Sequence, residues 1–101
     1  MSKIKILVVE DEPIIALNLR QTLRELGYEV VGIANNRCNT LKILDDKSKI
    51  PDLILMDIYL QGPTTGIMLA NEFKDTFPNI PIIFLTANSE LSTITEASET
   101  L

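Results

Sequence analysis

Histidine is absent from the 101-residue sequence, and its one cysteine, Cys38, has no second thiol to pair with. Those two counts exclude a Cys/His zinc site, an internal disulfide and histidine-based acid–base catalysis. Basic residues are also scarce, 9 lysines and arginines against 14 aspartates and glutamates, for a formal charge of −5. Duplex binding depends on lysine and arginine neutralising phosphates, so the chain is expected to bind no nucleic acid directly. Any DNA target would need another segment to contact it. No apolar stretch approaches the roughly 18 to 20 residues of a membrane span. The N-terminus, Met1-Ser2-Lys3-Ile4-Lys5, carries neither an apolar signal core nor a small-residue cleavage site. The expectation is a cytoplasmic protein with no membrane contact. What the chain does have is 46% hydrophobic residues, enough to fill the one core that a single domain over residues 1–101 requires.

The apolar residues alternate between two periodicities. Residues 4–9 (IKILVV) form a short β-branched run, too brief for a helix and too evenly apolar for a half-exposed strand, which predicts a strand buried on both faces. After Glu10, Asp11 and Glu12 comes Pro13, suited to a helix first turn, then Ala16, Leu19, Leu23 and Leu26 at helical spacing, closed by Gly27. Residues 28–34 (YEVVGIA) read as a second strand. The next helix, opened by Asn35 or Asn36, turns Leu41 and Leu44 inward. Residues 52–57 (DLILMD) form a third strand that ends on a carboxylate, and a loop through Gly62, Pro63 and Gly66 leads into a helix packing Ala70, Phe73 and Phe77. Pro78 and Pro81 end that unit. Residues 82–87 (IIFLTA) make a fourth strand, after which Ser89 can cap a last helix with Leu91, Ile94, Ala97 and Leu101 inward.

Strands alternating with helices predict an α/β, doubly wound parallel sheet, because each crossover is right-handed and covers one face of the sheet. If the order is the flavodoxin-like 2-1-3-4-(5), the fifth strand and fifth helix lie outside this chain, leaving the fourth strand as an edge. An apolar edge of that kind invites pairing, and self-association through it is one expectation.

In such sheets ligands bind beyond the carboxyl ends of the strands. Strand one ends in Glu10-Asp11, strand three in Asp57 and strand four in Thr86-Ala87. Three carboxylates therefore converge, and their repulsion raises at least one pKa unless a hard cation such as Mg²⁺ neutralises them. A carboxylate beside Mg²⁺ can act as a nucleophile and form an acyl phosphate, with the Thr86 hydroxyl in reach of the phosphoryl group. Each residue has a plainer reading. Acids at positions 10–12 favour a helix N-terminus, a strand-end aspartate can cap a loop, and threonine suits strands. The agreement of several strand ends favours a site.

These residues resemble the response-regulator receiver domain. The blocks ILVVEDEP, PDLILMDIYLQG, TGIMLANEF and IPIIFLTA fall in that family's order and spacing across the chain. The resemblance implies that Asp57 takes a phosphoryl group from a histidine kinase or phosphotransfer protein, that Glu10 and Asp11 form the acidic pair around Mg²⁺ with Asp11 the more direct ligand, that the backbone carbonyl of Tyr59 is a further ligand, and that Thr86 is the switch hydroxyl. The reader of such a switch can be an output domain beyond residue 101 or a separate partner with nothing covalently attached. The family's lysine at the end of a fifth strand and its switch aromatic have no counterpart here. The last lysine, Lys74, falls on the solvated face of the third helix and cannot replace it.

Three other functions fit less well. An aspartate-nucleophile phosphatase carries Asp-x-Asp, and Tyr59 stands two residues after Asp57. Nucleotide or flavin binding would need a glycine-rich phosphate loop after strand one. A pseudo-receiver interaction module, regulated without phosphate, has no need of intact Glu10, Asp11, Asp57 and Thr86. The expected protein is a switch, not an enzyme with an external product.

Overall fold

The computed structural model describes residues 3–58, 60 and 65–85. Its elements run β1 (Lys5–Val9), α1 (Pro13–Glu25), β2 (Glu29–Ala34), α2 (Arg37–Asp45), a 3-10 turn (Lys47–Lys49), β3 (Leu53–Asp57), α3 (Gly66–Thr76) and β4 (Ile82–Leu85). All strand pairs are parallel, in the order β2-β1-β3-β4. This is the α/β arrangement that the alternation of strands and helices predicts.

β1 is buried on both faces because helices cover both. Ile6 and Val8 pack with Leu23 and Leu19 of α1. Leu7 and Val9 point the other way, into a core with Leu44 of α2 and Leu69, Ala70 and Phe73 of α3. β4 alternates between its two faces, with Ile82 and Phe84 buried and Ile83 45% exposed. β4 is the outer strand among the described residues. Thr86, Ala87 and the helix expected over residues 89–101 lie outside them. No described helix is long and apolar enough to cross a membrane.

The helix ends follow their capping residues. α1 closes in a Schellman turn, with the Gly27 N–H donating to the Arg24 carbonyl and the Tyr28 N–H to the Leu23 carbonyl. Gly27 supplies the positive φ of 95° that this turn needs, and Tyr28 packs back onto the cluster of Ile6, Val8 and Leu23. Leu26 departs from expectation. It is the C-cap of α1 and 67% exposed, because the helix has already ended at Glu25 when the chain reaches it. At α2 the choice between Asn35 and Asn36 falls to Asn36, whose side chain accepts the Asn39 N–H at 2.8 Å. Asp52 precedes β3 and binds the first residue of β1 instead. Its carboxylate accepts the Lys5 N–H at 2.8 Å, and its own N–H donates to the Lys5 carbonyl.

Candidate functional site

The two central strands stop together. Val9 pairs with Met56 in the last rung between β1 and β3, so the chain delivers Glu10 and Asp57 to the same edge. Glu10 is fixed there by its backbone N–H, which donates to the Ala34 carbonyl of β2 at 2.9 Å. The Glu12 N–H then donates to the Glu10 carboxylate at 3.0 Å. Both acids are buried, Glu10 5% and Asp57 6% exposed. Asp11 is partly exposed beside them.

Each of Glu10, Asp11 and Asp57 offers one carboxylate oxygen to a group lying within 4.8 Å of one another. The electrostatic consequence falls on Glu10, whose pKa is pushed up from 4.5 to about 7. Burial is the main cause. The Glu12 N–H works against it, while the charge of Asp57, a hydrogen bond to it and the charge of Asp11 push the same way as burial. A buried carboxylate beside two others loses hydration that the Glu12 N–H offsets only in part. Several hard oxygen donors converging within one ion's reach are what Mg²⁺ binds best, so the donor set fits that ion. Glu10 and Asp11 border a cleft of about 370 Å³ that continues between α1 and the end of β2, past Pro13, Leu17, Ile33 and Asn39.

The structure therefore brings together three of the residues singled out in the sequence. Thr86 and Tyr59 lie outside the described residues. Lys74 is on the exposed side of α3, away from the acids.

Two features carry no local signal in the sequence. Gly66, the first residue of α3, packs directly on the backbone of residues 57 and 58. Arg37 at the start of α2 forms a two-pronged ion pair with Glu72 of α3, its Nε donating to Oε2 at 2.9 Å and its Nη2 to Oε1. The partners stand 35 residues apart, and only the fold joins them.

The family model for the response regulator receiver domain matches residues 6–100. The phyllosphere-induced regulator PhyR of Methylorubrum extorquens is 42% identical over 86 residues, which cover 85% of this chain and 32% of PhyR. Among solved structures, the response regulator TrrA of Thermotoga maritima in complex with Mg(2+)-BeF superposes with a TM-score of 0.76 at 34% identity, covering 96% of this chain and 79% of that one. The anti-anti-sigma factor PhyR of Bartonella quintana, complexed with the anti-sigma factor NepR, gives a TM-score of 0.70 at 36% identity over 81% of this chain and 33% of that one. The chain thus spans about a third of the length of the PhyR proteins it matches.

Proposed function

Because the chain belongs to the response regulator receiver domain family, we propose that it is a phosphorelay switch whose phosphoacceptor is Asp57. The observation that carries this reading is the meeting of Glu10, Asp11 and Asp57 at the ends of β1 and β3. A carboxylate kept from water at a strand end, with two further acids beside it, is poorly explained as a loop cap.

In the proposed reaction a carboxylate oxygen of Asp57 attacks the phosphorus of a phosphohistidine on a histidine kinase or phosphotransfer protein. The P–N bond breaks, its electron pair stays with the imidazole nitrogen, and an acyl phosphate forms on Asp57. Glu10, Asp11, Asp57 and the Tyr59 carbonyl would hold Mg²⁺. When bound, the ion neutralises the acids and gives a phosphoryl oxygen a coordination site. The chain's own part is placement. The Glu12 N–H holds the Glu10 carboxylate in position, and the closed strand ends keep bulk water from Asp57. Thr86 is the hydroxyl that hydrogen-bonds the phosphoryl group and relays the switch. The product is a changed surface, which makes the module a signalling device and places it in the cytoplasm beside its kinase.

A protein partner or an attached output segment would read that surface. The similarity to PhyR supports a protein partner, since PhyR has been solved with the anti-sigma factor NepR.

Residue mapping tests the reading. After treatment with acetyl phosphate and Mg²⁺, borohydride reduction of an aspartyl phosphate leaves homoserine. Homoserine at position 57 is expected, and homoserine elsewhere, or none, would sink the assignment.

A further inference from the structure

The geometry points to Gly66 as a positioning residue for phosphoryl transfer: its bare α-carbon lets α3 bear directly on the Asp57–Ile58 peptide and so fixes where the Asp57 carboxylate sits against Glu10 and Asp11. This inference rests on the reading of Asp57 as phosphoacceptor.

Ile58, the residue after Asp57, is held from two sides. The Ile58 N–H donates to the Leu85 carbonyl of β4 at 3.1 Å, and the Ile58 carbonyl accepts the Gly66 N–H at 2.9 Å. Between these two bonds there is no room for a side chain on residue 66. A Cβ built there overlaps the Asp57 carbonyl oxygen, and it stands 2.9 Å from the Asp57 carbonyl carbon and 3.0 Å from the Ile58 α-carbon. All three are backbone atoms, so no rotamer change relieves the overlap. Only a shift of α3 or of the end of β3, of the order of 1 Å, restores normal contact.

α3 resists that shift. Leu69, Ala70 and Phe73 anchor it in the core, and Thr65 caps its first turn by accepting the Met68 N–H at 3.2 Å. The strand end carries Asp57, so whatever part of the shift it takes up moves the Asp57 carboxylate relative to Glu10 and Asp11. A displacement of this size is enough to cost about a hundredfold in rate where reacting groups must meet in line.

Gly27 provides the control. It holds a positive φ of 95° with nothing within 4 Å of an added Cβ. Gly27→Ala therefore strains the backbone and lowers stability without touching the acids.

The experiment compares wild type, Gly66→Ala and Gly27→Ala for thermal stability, for Mg²⁺ affinity by calorimetry, and for the rate of phosphoryl gain from acetyl phosphate at saturating Mg²⁺. The expected result is a fall of about a hundredfold in that rate for Gly66→Ala, with weakened Mg²⁺ binding, while Gly27→Ala keeps the wild-type rate at a comparable loss of stability. Equal rates in Gly66→Ala and wild type would overturn the inference and leave Asp57 as acceptor. No gain in the wild type would overturn the acceptor reading and this one with it. Should Gly66→Ala not fold, Thr65→Ala takes its place, since it loosens the first turn of α3 without adding an atom. A folded Thr65→Ala protein with a several-fold slower rate supports the inference, and one with the wild-type rate overturns it.

Discussion

Val9 lies opposite Met56 in the last rung of the two central strands, and this one register decides which side chains share the end of the sheet. Shifting it by a single residue would turn Asp57 to the other face of β3. With the register as found, Glu10 leaves β1 next to Asp57 at the end of β3, and Asp11 follows at the rim. Four testable consequences follow, beginning with the most buried of the three acids.

Glu10 should make the metal-free protein less stable as pH rises. Its folded pKa of about 7 lies above the ordinary 4.5, so between those values the folded chain keeps a proton that the unfolded chain has released. The stability this proton contributes is complete below about pH 4.5 and is lost as pH climbs through 7, at a slope of at most about 1.4 kcal/mol per pH unit. Urea denaturation in the presence of chelator, from pH 5 to 8, should show this decline in the wild type and a flatter profile in Glu10→Gln. Identical profiles would contradict the assignment.

Mg²⁺ should reverse that trend. An ion that binds the folded chain alone, at a concentration a hundred times its dissociation constant, adds about 2.7 kcal/mol of stability. The same urea series with saturating Mg²⁺ should show a larger gain at pH 8, where Glu10 is ionised, than at pH 5, where it keeps its proton. Asp11→Asn and Asp57→Asn should each lose most of the gain. A gain that survives both substitutions would place the ion elsewhere.

Phe73→Ala tests the support beneath the site. Phe73 is fully buried in α3 and meets Phe77 edge to face, with ring centroids 6.5 Å apart. Truncation of a buried phenylalanine costs about 3 to 5 kcal/mol, and the midpoint of denaturation should fall accordingly. A loss below about 1 kcal/mol would mean that α3 packs differently.

Much of this fold was legible in the sequence because its strongest signals are local. β1 reads as a doubly covered strand since every residue from Ile6 to Val9 is apolar, and both helical layers do meet it. The end of α1 was equally plain, as Gly27 is the residue that a left-handed turn selects. Leu26 shows the limit of periodicity. It continues the apolar spacing of Ala16, Leu19 and Leu23, yet it caps the helix and faces solvent, because the turn begins one residue earlier than the pattern suggests. The acids of the site were legible as strand ends. The contacts that hold them were not. The bond from the Glu12 N–H to Glu10 depends on the path of the chain after β1, and the packing of Gly66 on residues 57 and 58 depends on where a loop returns. Neither leaves a mark in composition or spacing. The Arg37–Glu72 pair is legible only once α2 and α3 lie side by side.

The central claim, that Asp57 accepts a phosphoryl group with the help of Mg²⁺, is tested most directly by intact mass after incubation with a small-molecule phosphodonor. Wild type with Mg²⁺, wild type with chelator and Asp57→Asn with Mg²⁺ are measured side by side. A gain of one phosphoryl group in the first sample alone is the predicted result. A gain that persists in Asp57→Asn or under chelation, or no gain in any sample, would contradict it.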